Sequence, residues 1–222
     1  MLFLLVGAVP GVADAAKMQL MTEMLRRCLM LQEKWPALWK PGSRFGSMAN
    51  CVRPAPSSRH GVGLIAVDEI SAGRVCSMYP IHAVGDAAHL LATSEDRSAA
   101  YFSGETRGYR LEPWHDSMRS WGADLWVDAN PEREPRAGWL GHLINDAAVC
   151  SGGSDAEILK YYAAGHDECN CAMLPLGEAA PLMAVFTTRQ VERGEELLLS
   201  CECAVQDCRR PPPPPAPYER AF

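Results

Sequence analysis

Two glycines one residue apart, in the run Arg59-His60-Gly61-Val62-Gly63-Leu64-Ile65-Ala66, are the first feature with chemical content. Glycines at that spacing let a backbone approach a ligand where a side chain would clash, and they also make ordinary turns. The next is Gly138-Trp139-Leu140-Gly141-His142-Leu143-Ile144-Asn145-Asp146-Ala147. The carboxamide of Asn145 offers two donor hydrogens and an acceptor to the polar edge of a ligand, with a capping or turn role as the alternative. Further on, Pro181–Thr187 and Glu196–Ser200 are apolar runs joined through Gly194 and the carboxylates Glu195 and Glu196, a pattern that by itself reads as a β-hairpin. Cys201, Cys203 and Cys208 close the series as a thiol cluster.

These residues need elements to hold them. Asp14 to Lys34 reads as a helix, with Met18, Met21, Leu25, Cys28, Leu29 and Leu31 on one side and Glu23, Arg26 and Arg27 on the other. Pro36 is its expected stop, because proline disfavours helical geometry in the residue before it. Short strands are expected at Gly63–Val67, Arg74–Tyr79, Leu125–Val127, Met183–Thr187 and Glu196–Ser200, each apolar and bounded by turn residues. Thr93 to Arg119 reads as irregular. The result is a mainly β chain with short helices, of α+β class, without the βαβ alternation of a doubly wound nucleotide fold. The five prolines Pro211–Pro215 form an extended run outside any core, either a solvated tail or a ligand for a partner's aromatic-lined groove.

Composition narrows the function classes. The 222 residues suit one domain with appendages. Apolar residues make up 48%, enough for a sizeable core. With 21 basic against 27 acidic side chains the net charge is −6, which argues against direct nucleic-acid binding and suits a cationic partner such as a lysine-rich peptide. A chain with a real core needs no disulfides, so most of the nine cysteines read as reduced thiols. Leu2–Val12 is apolar, and Ala13-Asp14-Ala15 has the small residues of a signal-peptide cleavage site. No Lys or Arg precedes that run, which favours the start of a helix and an intracellular location. No segment has the length and apolarity of a membrane span.

In this order, four segments resemble the SET domain of protein lysine methyltransferases. They are Arg59–Ala66 with the Asp68–Gly73 turn after it, Trp126–Ala129, Gly138–Ala147, and Asn170-Cys171 with Pro181–Ser200. The resemblance covers roughly two thirds of the chain and divides it into an N-terminal leader and helix over 1–50, a SET-type domain over 51–203 and a disordered Pro-rich tail over 204–222. It implies a SET-type fold of small curved sheets with a knot-like C-terminal crossing. It also implies S-adenosylmethionine as cofactor, with Gly61, Val62 and Gly63 at its methionine end and His142, Asn145 and Asp146 in the region that holds its adenine end. The implied activity is methyl transfer to a lysine of a protein or peptide substrate.

The chain departs from the family pattern at His142, Asp146 and Ala147, which stand for arginine, histidine and serine. Cys201 stands where the family places a catalytic tyrosine beside the target amine. A lysine amine has an unperturbed pKa of about 10.4 and must lose a proton before it can attack a methyl group, a step that a phenol assists better than a thiol. Tyr79, Tyr161 and Tyr162 are the phenols available to take that place, the last two within an insertion between Asn145 and Asn170. The departures keep open a second reading, a SET-like binding module that is catalytically weak or inactive. Cys201, Cys203 and Cys208 have the spacing of the zinc cluster that follows many such domains, with Cys169 and Cys171 as further thiolates. The family separates that cluster from the strand by a linker that this chain lacks, so no metal is expected.

Overall fold

The computed structural model describes residues 3–6, 12–38, 50–86, 89–93, 110–111, 125–148, 154–176 and 182–200. Helix α1 (Val12–Leu38) forms where the apolar stripe predicts it, and the stripe is its buried face: Met21, Leu25 and Cys28 are fully buried. On the outer face Glu23 accepts hydrogen bonds from both Arg26 and Arg27, at 2.6–2.8 Å. The expected stop at Pro36 is corrected, since the helix runs on to Leu38. A proline this close to a C-terminus forfeits one intrahelical bond in the last turn, which the helix can lose without breaking. Neither described helix is long and apolar enough to cross a membrane.

Beneath α1 lies a five-stranded antiparallel sheet. Its members are β1 (Phe3–Val6), β5 (Ala83–Gly85), β6 (Leu90–Thr93), β7 (Arg110–Leu111) and β8 (Trp126–Asp128), in the order β1-β6-β5-β8-β7. The helix stripe, Met21 to Leu29, shares one apolar cluster with Tyr79, Ile81, Val84, Leu91, Val127 and Met183. Two polar ties fix the helix along its axis. Lys17 Nζ lies 2.6 Å from the buried carboxylate of Asp86, and Gln32 Nε2 donates to the Ile81 carbonyl at 2.8 Å. Of the irregular stretch Thr93–Arg119, all but its first residue and Arg110–Leu111 lies outside the described residues.

The second sheet has seven strands. Six follow the order β2 (Val52–Pro56), β3 (Val62–Ala66), β12 (Glu196–Leu199), β10 (Cys171–Leu176), β11 (Leu182–Thr187) and β4 (Val75–Met78), and β9 (Asn145–Asp146) runs beside β12. This corrects the hairpin reading of the last two apolar runs. β11 and β12 are not neighbours; β10 lies between them, antiparallel to β11 and parallel to β12. β10 escapes a sequence reading because Pro175 interrupts its apolar run. Leu64, Leu140, Val185, Val191, Leu197 and Leu199 build the core under this sheet. A second helix, α2 (Asp155–Glu168), opens on a capping box in which Ser154 and Glu157 satisfy each other's backbone N–H.

The outer strand β2 pairs with β3 through its odd-numbered residues. Val67 N donates to Cys51 O at 2.8 Å, and Ser57 N donates to Gly61 O at 2.9 Å. By the alternation of an antiparallel ladder, the backbone groups of Val52, Pro54 and Pro56 point away from the sheet.

Candidate functional site

The β2–β3 hairpin supplies the glycine pair. Its tip, Ser57–Gly61, closes on the Ser57–Gly61 backbone bond, and the Ser57 hydroxyl accepts from the N–H groups of Arg59 (2.9 Å) and His60 (3.3 Å). Gly61 has φ +51°, the left-handed conformation that such a tip requires and that glycine adopts without strain. Gly63 is needed for a different reason. A Cβ built there would lie 2.1 Å from Glu196 Oε1 and 2.9 Å from Asn145 Nδ2, so those two groups leave no room for a side chain where they stand. Val62 between them is half exposed.

Strand β12 brings the other segments to this turn. Ala66 N donates to Glu195 O and Ala147 N to Leu199 O, so β3 and β9 follow one another along the same edge of β12. Asn145 lies opposite Leu198, and Glu196 opposite Ile65. Residues two apart share a face of a sheet, and so do residues directly opposite one another. Gly63, Ile65, Glu196 and Asn145 therefore share one face, which is partly open to solvent, while Leu64 and Leu197 point into the core.

The result is one polar knot. Asn145 Nδ2 donates towards His60 O at 3.0 Å, Val62 O at 3.4 Å and Glu196 Oε1 at 2.9 Å. On the opposite edge of β12 a second carboxamide does a related job. Asn170, fully buried, donates to Glu196 O (2.8 Å) and Glu195 Oε1 (3.0 Å) and accepts from Leu198 N (2.8 Å). Asp146 accepts from Ala148 N at 3.2 Å and from the Tyr161 hydroxyl of α2. Arg59 donates to the Ala147 carbonyl at 3.1 Å and pairs with Glu168 at the end of α2.

Of the residues expected at a cofactor site, the fold thus gathers Gly61, Val62, Gly63 and Asn145, with Asp146 next to them on β9. His142 stands in other surroundings. It sits in the 3-10 turn Gly141–Leu143, 7% exposed, with its ring edge-on to Tyr79 at 6.4 Å between centroids. Burial pushes His142 down to about 4, and burial together with the charges of Arg133 and Arg136, and of His142 once it is protonated, pushes His82 down to about 3. Both rings are neutral near pH 7. His82 Nδ1 accepts from Asn130 N at 2.8 Å.

Cys201, Cys203 and Cys208 lie outside the described residues. Among the described residues no group of three or more His, Cys, Asp or Glu side chains has the arrangement of a metal site. Cys171 is buried against Cys76, and that neighbour together with burial drives the Cys76 thiol far up, so it is no thiolate at neutral pH. Tyr79 and Tyr161 are both 3% exposed, and Tyr162 packs edge-on against Tyr161.

Two participants were not expected at the site from sequence: Glu196 and Arg59. The signal for Glu196 is a carboxylate opening an otherwise apolar strand. Arg59 has none beyond its place beside the glycines, and Tyr161, expected as a candidate phenol on the acceptor side, here donates to Asp146 from the buried face of α2. Searches against protein-family models and among curated proteins each found no match for this chain.

Proposed function

We propose that the chain is a SET-type domain that transfers the methyl group of S-adenosylmethionine to a lysine of a protein or peptide. The observation that carries this reading is the bond from Asn145 Nδ2 to the backbone oxygens of His60 and Val62. Two segments 83 positions apart, which the resemblance assigns to the two ends of one cofactor, meet at that amide. The surroundings fit such a ligand. The backbone at Gly61 is open: a Cβ placed there would meet nothing within 4 Å. Carbonyl oxygens and the Glu196 carboxylate line the turn beside it, and oxygen acceptors suit a ligand that is cationic at both sulfur and amine.

Gly61, Val62, Gly63 and Asn145 would hold the cofactor, with Asp146 next to them; His142, buried against Tyr79, stands apart from that turn. Bound S-adenosylmethionine supplies the electrophilic methyl. The chain's own part is to hold the acceptor amine in line, exclude water and favour its neutral form. Cys201, directly after Ser200, is assigned to the acceptor side. The net charge of −6 favours lysine-rich substrates. The test is incubation of purified protein with labelled S-adenosylmethionine and a panel of lysine-rich proteins, where label on lysine is the expected result. No transfer to any member of the panel would overturn the enzyme reading.

A second reading, a module that binds without turnover, is favoured by Asp146, whose carboxylate is taken up by Tyr161 and Ala148. Calorimetry separates the two: one cofactor site without transfer supports the module.

A further inference from the structure

We propose that Glu196 is the positioning residue of this site, acting through Asn145. The inference rests on the reading of the turn as a cofactor site. The carboxamide of Asn145 has two ends, and the ligand meets whichever one faces out. Three oxygens, His60 O, Val62 O and Glu196 Oε1, surround one end at 2.9–3.4 Å, and an amide oxygen there would face only acceptors. That end is the nitrogen. Oδ1 is then the outward atom, and it meets no protein donor among the described residues.

Of the three oxygens, only that of Glu196 belongs to a side chain. It also makes the shortest contact, and it leans across Gly63, where a Cβ would lie 2.1 Å from it. Glu196 thus locks the amide so that the site offers an acceptor to a donor-rich group, such as the primary ammonium of an aminoacyl ligand. Without the carboxylate the amide loses its shortest contact and is held only by the His60 and Val62 carbonyls, so its oxygen is presented to that ammonium less firmly.

The test uses two probes, S-adenosylhomocysteine, which carries the amino-acid end, and 5′-methylthioadenosine, which lacks it. Glu196→Ala should weaken S-adenosylhomocysteine about tenfold, the loss of one good polar contact, and leave 5′-methylthioadenosine unchanged. Glu196→Gln keeps an acceptor oxygen and should restore most of the affinity. In ¹⁵N-resolved NMR of the ligand-free protein, the Asn145 side-chain NH₂ pair should shift in Glu196→Ala and return towards the native position in Glu196→Gln. If Glu196→Ala fails to fold, the comparison of Glu196→Gln with Glu196→Leu on the same two probes decides. Equal loss for both probes, or no loss for either, overturns the positioning role and leaves the site reading standing. No binding of S-adenosylhomocysteine by the native protein sinks both.

Discussion

The α1 face of the five-stranded sheet and the β12 junction of the larger sheet both join chain segments far apart in sequence, and they differ in how polar groups take part. At α1 the contact is apolar. Met21, Leu25 and Cys28 lie against Ile81, Val84 and Val127, and two polar ties, Lys17–Asp86 and Gln32–Ile81, set the helix along its length. At β12 two carboxamides do the joining, Asn145 on one edge and Asn170 on the other. Apolar contacts are strong in sum but nondirectional, whereas hydrogen bonds contribute little net energy and fix geometry closely. Both regions rest on buried apolar clusters, and at β12 the two carboxamides add the directional bonds that set the register.

The largest expected effect tests the first half of that contrast. Leu25→Ala removes a fully buried side chain from the α1 cluster and should cost about 2–5 kcal/mol in urea unfolding. Amide signals of the Ser57–Gly63 hairpin should stay in place, and their displacement would show that the two regions are not separable. Next in size is Asn170→Ala, which leaves Leu198 N and Glu196 O unsatisfied in the interior and should cost about 1–3 kcal/mol. Its distinguishing sign is faster hydrogen exchange at Leu198 and a displaced Asn145 side-chain amide signal, since Glu196 loses its support from behind.

The smallest effect comes from the two buried histidines. Their folded pKa values lie below the usual 6.5, at about 3 for His82 and about 4 for His142. Between those values and 6.5 the unfolded chain binds more protons, so stability is full above pH 6.5 and falls as the pH drops towards 4 and then 3. The loss should be on the order of 1 kcal/mol per ring by pH 5.5. His142→Phe should flatten the slope of unfolding free energy against pH between 6.5 and 4. An unchanged slope would place the acid sensitivity elsewhere.

Much of the strand framework was legible in the sequence. β3, β4, β8, β11 and β12 fall where apolar runs bounded by turn residues put them, each within a residue or so at either end. The stripe on α1 was equally plain, because a buried helical face leaves a period that solvent-facing residues cannot mimic. The misses have several causes: pairing between distant segments leaves no local trace, and Phe3–Val6, in the apolar run read as the start of a helix, pairs instead as strand β1 with β6. β5 and β9 are three and two residues long, too short to show a period. β10 carries a proline, and the chain order of β11 and β12 suggested a hairpin that β10 in fact splits. α2 announced itself in Ser154 and Glu157, a capping box that was there to be read. At the site, Asn145 and the glycines stood out by residue type. Glu196 did not, because its role depends on lying diagonally across the sheet from Gly63.

The outward row of β2 bears on how these molecules behave when crowded. A bare sheet edge is a template, since any passing strand can dock on alternating donors and acceptors. Of the outward positions Val52, Pro54 and Pro56, only Val52 has an N–H to offer. A second chain arriving there would find carbonyl oxygens with almost no donors between them, too few to start a ladder. The hairpin that carries the candidate turn is therefore poorly suited to recruit a neighbouring strand along this edge.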